Sequence, residues 1–394
     1  MRSVIRDYFY PMPAPKKKNY DKLALALHKK LRGKVRVESK GKLKTKDDWS
    51  TMYSPGVGAV SAHLAKKPQD AREYTIKRNS VAVVSDGSAV LGLGNIGTIG
   101  ALPVMEGKAA IFKAVADVDA WPIVLDTQEP EAIIAAVKAI APGFGGINLE
   151  DIAAPKCFEI EERLKAELDI PVMHDDQHGT AIVVLAGLMN AAKVVKKPLK
   201  EMKTVIVGAG AAGRAITLIL HQAGLKHITV TDSKGIIVEG RRDLSGYKKE
   251  LAKIANRQRV SGEVLDAATD ADVIIGVSGP GTITKHHVEV MAQNAVVFAL
   301  ANPMPEIKPE DALRAGAAIV ATGRSDYPNQ VNNSLVFPGI FRGALDKGVT
   351  AITDTMKVEA AKKVASLVKQ PTPMEIIPSV NHPDLVKKVA SAVK

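Results

Sequence analysis

The chain has 394 residues, 46% of them apolar, with 54 Lys and Arg against 42 Asp and Glu and a single Cys. At roughly 100–200 residues per domain this is enough for two to three domains with real cores. One cysteine excludes an intramolecular disulfide, no apolar run approaches the roughly 18 residues of a membrane helix, and the start lacks a signal-peptide pattern, so a cytoplasmic protein with no membrane partner is expected.

The formal charge of +12 invites a nucleic-acid reading, but residues 1–50 hold 15 Lys/Arg and 5 Asp/Glu, a net of +10, so the body is nearly neutral. That first segment reads as a basic arm, with Pro11, Pro13 and Pro15 near its start, and a helix with Leu23, Leu27 and Leu31 on one face. Its cations lack the interleaved aromatics of a base-stacking surface, and no nucleic-acid partner is expected. From about residue 81, short β-branched runs alternate with helical stretches. VAVVSDGSAVLGLG carries Asp86-Gly87 between two apolar runs and reads as a hairpin. WPIVLDT is a buried strand, EPEAIIAAVKAIAP a helix with acids in its first turn, and GGINLED a strand ending in two carboxylates. A helix at 155–168, the strand-like IPVMHDD and a long apolar helix from Gly179 to about Val195 follow.

KKPLKE at 196–201 marks the passage to a second unit, whose strands are TVIV, HITVTD, DVIIGV, AVVFALA and AAIVAT. From 346 onward the chain is helical, broken by Pro371, Pro373, Pro378 and Pro383. Alternating strand and helix predict parallel α/β architecture. The boundaries are an arm at 1–50, a first α/β domain at 51–195, a Rossmann-like domain at 196–345 and C-terminal helices at 346–394.

Each α/β unit contains a Gly-x-Gly-x-x-Gly. In TVIVGAGAAGRAITLILHQAG, Gly208, Gly210 and Gly213 follow a strand and open a helix, and Asp232 ends the next strand 19 residues past Gly213. That is a dinucleotide context: the glycines admit the pyrophosphate to the helix N-terminus and the acid bonds the ribose hydroxyls. An acid there repels a 2′-phosphate, which favours NAD, with NADP the alternative because Lys234, Arg241 and Arg242 lie downstream. The earlier triplet, Gly92, Gly94 and Gly97, has its next strand-ending acid, Asp126, 29 residues past Gly97, and Pro103 cuts into any long helix after it. It reads as a close-packed loop.

Glu150 and Asp151 end one strand, and Asp175 and Asp176 end another. Ligand sites of open α/β sheets lie outside the carboxyl ends of the strands, so both pairs can face one crevice, where a hard divalent ion, Mg²⁺ or Mn²⁺, would neutralise them. Taken singly, either pair is an ordinary helix cap. His174 and His178 flank the second pair, and orienting the loop is preferred to binding zinc. Cys157 reads as an ordinary thiol.

Taken together, YSPGV at 53–57, VAVVSDGSAVLGLGNIG at 81–97, LPVMEGKAAIFK at 102–113, INLEDI at 147–152, HDDQHGTA at 174–181, VGAGAAG at 207–213, TDSKG at 231–235, ANP at 301–303 and NNSLVFPG at 332–339 closely resemble malic enzymes of the small, stand-alone prokaryotic type. The resemblance implies oxidative decarboxylation of L-malate to pyruvate and CO₂ with reduction of NAD(P)⁺, a divalent metal and a homodimer. It implies a malate-binding α/β domain followed by the Rossmann-like one. It assigns Lys108 as the base at the C2 hydroxyl, Tyr53 as the acid at C3 and Asp175 as the lysine's partner. Glu150, Asp151 and Asp176 are assigned as metal ligands, and Asn302 and Asn333 as contacts to substrate and nicotinamide. Larger malic enzymes carry a carboxylate-binding arginine where this chain has Ala89; Lys77 or Arg78 is a candidate replacement. Two alternatives stay open: another NAD-dependent 2-hydroxy or 2-amino acid dehydrogenase or a malolactic-type activity, and a nucleotide-sensing or polyanion-binding protein without turnover.

Overall fold

The computed structural model describes residues 19–244 and 246–394; the first 18 residues, with the arm's prolines, and Ser245 lie outside the described residues. The described chain opens with four helices, α1 (Tyr20–Leu31), α2 (Lys46–Met52), α3 (Val57–Lys66) and α4 (Ala71–Tyr74). Local chemistry starts them: Asn19 caps α1, and Thr45 and Asp48 form a reciprocal capping box on α2. None of the four buries a residue, and the Leu23, Leu27 and Leu31 face of α1 is open to solvent.

The first sheet is built from β1 (Ser80–Ser85), β2 (Asp119–Val124), β3 (Gly146–Leu149) and β4 (Val172–His174), all parallel, in the order β2-β1-β3-β4. Helices α5 (Gly97–Ala116), α6 (Pro130–Ile140) and α7 (Lys156–Glu167) connect its strands, and α8 (Asp175–Val194) leaves from β4 without a loop. The second unit comprises β5 (Thr204–Val207), α9 (Ala211–Gln222), β6 (Ile228–Asp232), β7 (Gly235–Ile236), α10 (Tyr247–Ile254), α11 (Val264–Ala268), β8 (Val273–Gly276), α12 (Lys285–Glu289), β9 (Val296–Ala299), α13 (Pro309–Arg314) and β10 (Ile319–Thr322). Its order is β10-β9-β8-β5-β6-β7, parallel except for the short β6–β7 return. Helices α14 (Phe337–Lys347), α15 (Asp354–Ala365) and α16 (Leu385–Ala390) follow.

The strands are apolar runs because both of their faces are covered, as parallel sheets require. Helix α8 is apolar all round for the same reason: every residue from Ala181 to Leu188 is buried. Each fully buried Ile or Leu contributes roughly 1.5–3 kcal/mol. One apolar core runs from Val81 and Val83 of β1 through α8 to Ile206, Val230 and Phe298 of the second sheet. Gly187 lets α8 approach Phe298 closely, since a Cβ there would stand 3.2 Å from the ring.

Three local expectations give way. Asp86-Gly87 turns no hairpin, because β1 already has β2 and β3 on its two edges and offers a returning strand no place to pair. Pro103 does not stop α5, which runs through it. An interior proline costs about 3 kcal/mol through a lost hydrogen bond and a ring clash together, and burial of Ala101, Met105, Ala109 and Phe112 along the same helix outweighs it. Helix α8 starts at Asp175, a full turn before Gly179, so both acids occupy its first turn, where the helix dipole favours them.

Gly213 sits where a Cβ would overlap the Gly208 carbonyl oxygen. The propensity gained by replacing glycine with valine is a few tenths of a kcal/mol, whereas overpacking against backbone costs about 1–3 kcal/mol. Gly213→Val is therefore expected to lower the urea midpoint at unchanged m-value.

Candidate active site

Strands β3 and β4 are neighbours in register, with Leu149 opposite His174, so the acids that follow them emerge side by side. Oxygens of Glu150, Asp151 and Asp176 lie within 4.8 Å of one another. The cluster is held from within: the Asp151 N–H donates to Asp176 Oδ2 at 2.7 Å and Asn148 Nδ2 to Glu150 Oε2 at 2.9 Å. Lys108, halfway along α5, reaches in from the side. Its ammonium donates to Asp175 Oδ2, lies 3.0 Å from Glu150 Oε1 and stands 4.2 Å over the centre of the Phe337 ring.

Buried charge sets the electrostatics. Burial, then the neighbouring Asp176, push the Glu150 carboxyl well above its ordinary range, and Lys108 opposes them. Burial also raises Asp175, against the pull of Lys108. For Lys108, burial lowers the pKa, but Asp175, Glu150 and Asp176 outweigh it and hold the ammonium above the usual lysine value. Glu150, Asp175 and Asp176 thus share Lys108. Glu150, Asp151 and Asp176 form an all-oxygen donor set that a hard divalent ion fits, with the excess negative charge that such an ion requires.

Asn333 joins this group: it begins the turn before α14, and a Cβ on Gly179 would meet both Asp175 Oδ1 and the Asn333 Cβ. Asn302 stands on the loop after β9, where its carbonyl oxygen occupies the space a Gly92 side chain would need. Of the first glycine triplet, only Gly92 is close-packed, letting the two loops meet; Gly94 and Gly97 face open space and instead hold positive φ, both +74°. Tyr53 follows α2, is 68% exposed, and its hydroxyl has no hydrogen-bond partner among the described residues. Ala89 lies against the cluster, donating its N–H to the Asp151 carbonyl at 2.9 Å. Lys77 does not replace an arginine there: its ammonium donates to the carbonyls of Ala141, Pro142 and Phe144 at the N-terminal end of β1, whereas the acids stand at the C-terminal ends.

On the dinucleotide side, Gly208 has φ +117°, Gly210 is the N-cap residue of α9, and no side chain caps that helix. Its first N–H groups thus meet the requirement for an anion site. Asp232 does end β6, but not as a lone carboxylate: it accepts from Arg241 Nη2 and Lys248 Nζ, both at 2.6 Å, and from the Lys234 N–H at 3.0 Å. Burial raises its pKa, and these bonds more than reverse that, holding it below the usual carboxylate range. Asp232 is therefore not the unpaired acid that would favour NAD.

Sequence reasoning did not find Glu161. Fully buried on α7, it accepts from the His174 N–H (3.0 Å), Gln177 Nε2 (3.1 Å) and His178 Nε2 (2.9 Å), and pairs with Lys165 at 2.6 Å. Lys357 of α15 stands 3.1 Å from His178 Nδ1, and since an ammonium only donates, the proton of the neutral ring sits on Nε2. Both His178 nitrogens are thereby spent within the protein, which disposes of zinc at this pair. The signal that could have found Glu161 was its spacing in FEIEERL, which turns one acid inward among exposed ones.

Family models describe both parts of the chain: the malic enzyme N-terminal domain matches residues 32–165 and the malic enzyme NAD-binding domain residues 177–394. An NAD-dependent malic enzyme of Geobacillus stearothermophilus is 54% identical over 363 residues, 92% of this chain and 76% of that protein. An NADP-dependent malic enzyme of Halomonas elongata is 46% identical over 358 residues, 90% and 84% of the two chains. The crystal structure of an NAD-dependent malic enzyme from Thermotoga maritima superposes with a TM-score of 0.91 at 49% identity, covering 94% of this chain and 98% of that one.

Burial raises the Glu161 carboxyl, but His178, Lys165 and Lys357 overcome that and hold it well below its usual range. A depressed carboxylate stabilises the fold above its unfolded value of ~4.3 and loses that contribution as pH falls through its folded value. Glu161→Gln is expected to cost about 1.5–3 kcal/mol at pH 7 and to flatten the acid limb of stability below pH ~4.3. Urea unfolding of both proteins across pH 3–7 measures this.

Proposed function

The chain belongs to the malic enzyme family, and we propose that it oxidises and decarboxylates L-malate to pyruvate and CO₂ with reduction of NAD(P)⁺, using a divalent ion at Glu150, Asp151 and Asp176. The observation that carries the reading is Lys108, buried between Asp175 and Glu150 beside that carboxylate triad. A binding protein without turnover has no use for such a group.

In this reading Lys108 takes the proton of the C2 hydroxyl as hydride leaves for the dinucleotide, and Asp175 holds the lysine in place. Glu150, Asp151 and Asp176 would hold a Mg²⁺ or Mn²⁺, which would supply Lewis acidity at the C2 oxygen while the C3–C4 bond breaks and CO₂ leaves. Tyr53 then protonates C3 of the enolate, which completes pyruvate. Asn302 and Asn333 bound the substrate and nicotinamide from the loop after β9 and the turn before α14. Cys157, buried and unpaired, suits a reducing cytoplasm.

The reading extends to a homodimer. Trp49, Met52, Val57 and Val60, around Tyr53, are all exposed apolar side chains on helices that bury nothing. Such a surface calls for a cover, and a second copy that brings Tyr53 to its neighbour's Lys108 supplies one.

Lys108→Ala is expected to cut kcat by about 10²–10⁴-fold, assayed as NAD(P)H and CO₂ formed from L-malate with Mn²⁺. Lactate formed without net NAD(P)H would instead identify the malolactic reaction. Chelation should abolish turnover, and Asp176→Asn should raise the Mn²⁺ concentration needed for half-maximal rate. Mixing inactive Lys108→Ala and Tyr53→Phe proteins under subunit exchange should restore about a quarter of wild-type activity, one intact site per mixed dimer; no recovery places Tyr53 in its own subunit's site.

A further inference from the structure

A buried carboxylate that the chemistry above does not use sits behind the dinucleotide crevice. Glu306, on the loop between β9 and α13, is 1% exposed. Its Oε1 accepts the Ser278 N–H and its Oε2 the Ala301 N–H, both at 3.0 Å. Only glycine at position 276 admits it, since a Cβ there would stand 2.5 Å from the Glu306 carboxyl carbon. The Gly281 N–H adds a bond to the Glu306 carbonyl at 2.9 Å. Burial raises the carboxyl above its ordinary range, and the Ala301 and Ser278 donors oppose that.

The two donors belong to different loops. Ser278 follows β8 and Ala301 follows β9, so one side chain ties together the carboxyl ends of neighbouring strands. Each loop leads further. A Cβ on Gly208 would meet the Val277 carbonyl oxygen at 2.6 Å, so the loop after β8 rests on the turn that receives the pyrophosphate. Ala301 precedes Asn302, whose carbonyl packs on Gly92 of the first unit. With the adenosine ribose over β6, the nicotinamide half extends the other way from β5, over β8 and β9. Glu306 is thus the link in a chain of contacts from the pyrophosphate turn to the first unit, on the side where hydride must cross.

We propose that Glu306 is a positioning residue for hydride transfer: by strapping the loops after β8 and β9 together, it holds Asn302 in register with the Gly208 turn and so seats the nicotinamide against malate. The inference rests on the malic-enzyme reading above and extends it to a residue that acts only through its neighbours.

Glu306→Gln keeps the shape but turns one acceptor into a donor facing a backbone N–H, which frees one loop. A displacement of about 1 Å at the reacting atoms costs about 10²-fold, so kcat should fall about 10–100-fold. The isotope effect on kcat for malate deuterated at C2 should rise toward its full value, with the Mn²⁺ requirement unchanged. Titration without turnover gives a second readout. NADH should lose about three- to tenfold in affinity, whereas ADP-ribose, which lacks nicotinamide, should change less than about twofold. Asp272→Asn is the control for stability alone: Asp272 is also a buried carboxylate of this sheet, bonded to the Lys203 N–H and the Lys197 ammonium at the opposite ends of the strands. It should lower the urea midpoint and leave kcat and the isotope effect as in the wild type. Glu306→Asp, one methylene short, carries the same test where the glutamine variant does not fold. A Glu306 variant that matches Asp272→Asn in every readout, or that weakens NADH and ADP-ribose alike, overturns the proposal. Absent malate turnover in the wild type would instead defeat the malic-enzyme reading, while the titrations still decide the role of Glu306.

Discussion

Negative charge crowded at the ends of two adjacent strands is the constraint around which this molecule is arranged. Parallel pairing of β3 with β4 forces Glu150 and Asp151 up against Asp175 and Asp176. Ionised carboxylates taken out of water cost several kcal/mol each unless compensated. The chain compensates with what each neighbouring element can bring. Helix α8 begins at the second acid pair and turns its N-terminal dipole on it, the Asp151 N–H and the Asn148 amide occupy carboxylate oxygens, and α5 delivers Lys108. One ammonium against Glu150, Asp175 and Asp176 leaves a deficit of positive charge. The same acids that demand a cation also keep Lys108 protonated, so an ion engaging Glu150 and Asp176 would loosen their hold and leave burial to favour the neutral amine. On the proposed function, metal and base would be linked through shared carboxylates.

A few residues away, the same problem is solved without any foreign ion. Glu161 is as deeply buried as the site acids, yet two backbone or amide N–H groups, an imidazole and a lysine saturate its oxygens. Because its donors come from the segment that carries Asp175 and Asp176, it holds the backbone of the reactive turn in place, and Lys357 extends that anchorage to α15. The contrast is between a carboxylate whose oxygens are saturated by N–H donors and acids that crowd one another around Lys108. At β6 the balance is struck a third way, with Asp232 given more cations than it needs.

Much of this was legible in the order of residues. Apolar β-branched runs separated by amphipathic stretches identify the parallel strands, and strand–glycine–helix–strand–acid identifies the βαβ unit around Gly208 and Asp232. What escaped was whatever depends on a neighbour distant in sequence. A hairpin at Asp86-Gly87 is sound local reasoning, defeated because β2 and β3 take both edges of β1. Pro103 is a helix breaker outvoted by burial along α5. Asp232 reads as a bare acid until the chain folds back 9 and 16 residues later to bring Arg241 and Lys248. Lys77 lies near β1 in sequence and at the wrong end of it in space. Lys108, Asp175 and the acid triad were found through their motifs, but their mutual approach is a property of sheet order alone.

Helix α8 starts among the reactive carboxylates, passes through the interior and packs under Phe298 of the second sheet. One apolar core therefore spans both α/β units, while a second cluster lies within the first unit and a third within the second. Two units that look separable in sequence share α8, so unfolding either one would expose part of that helix. The two are accordingly expected to unfold together, and a cut placed in the polar stretch near residue 196 is expected to expose apolar core on both fragments.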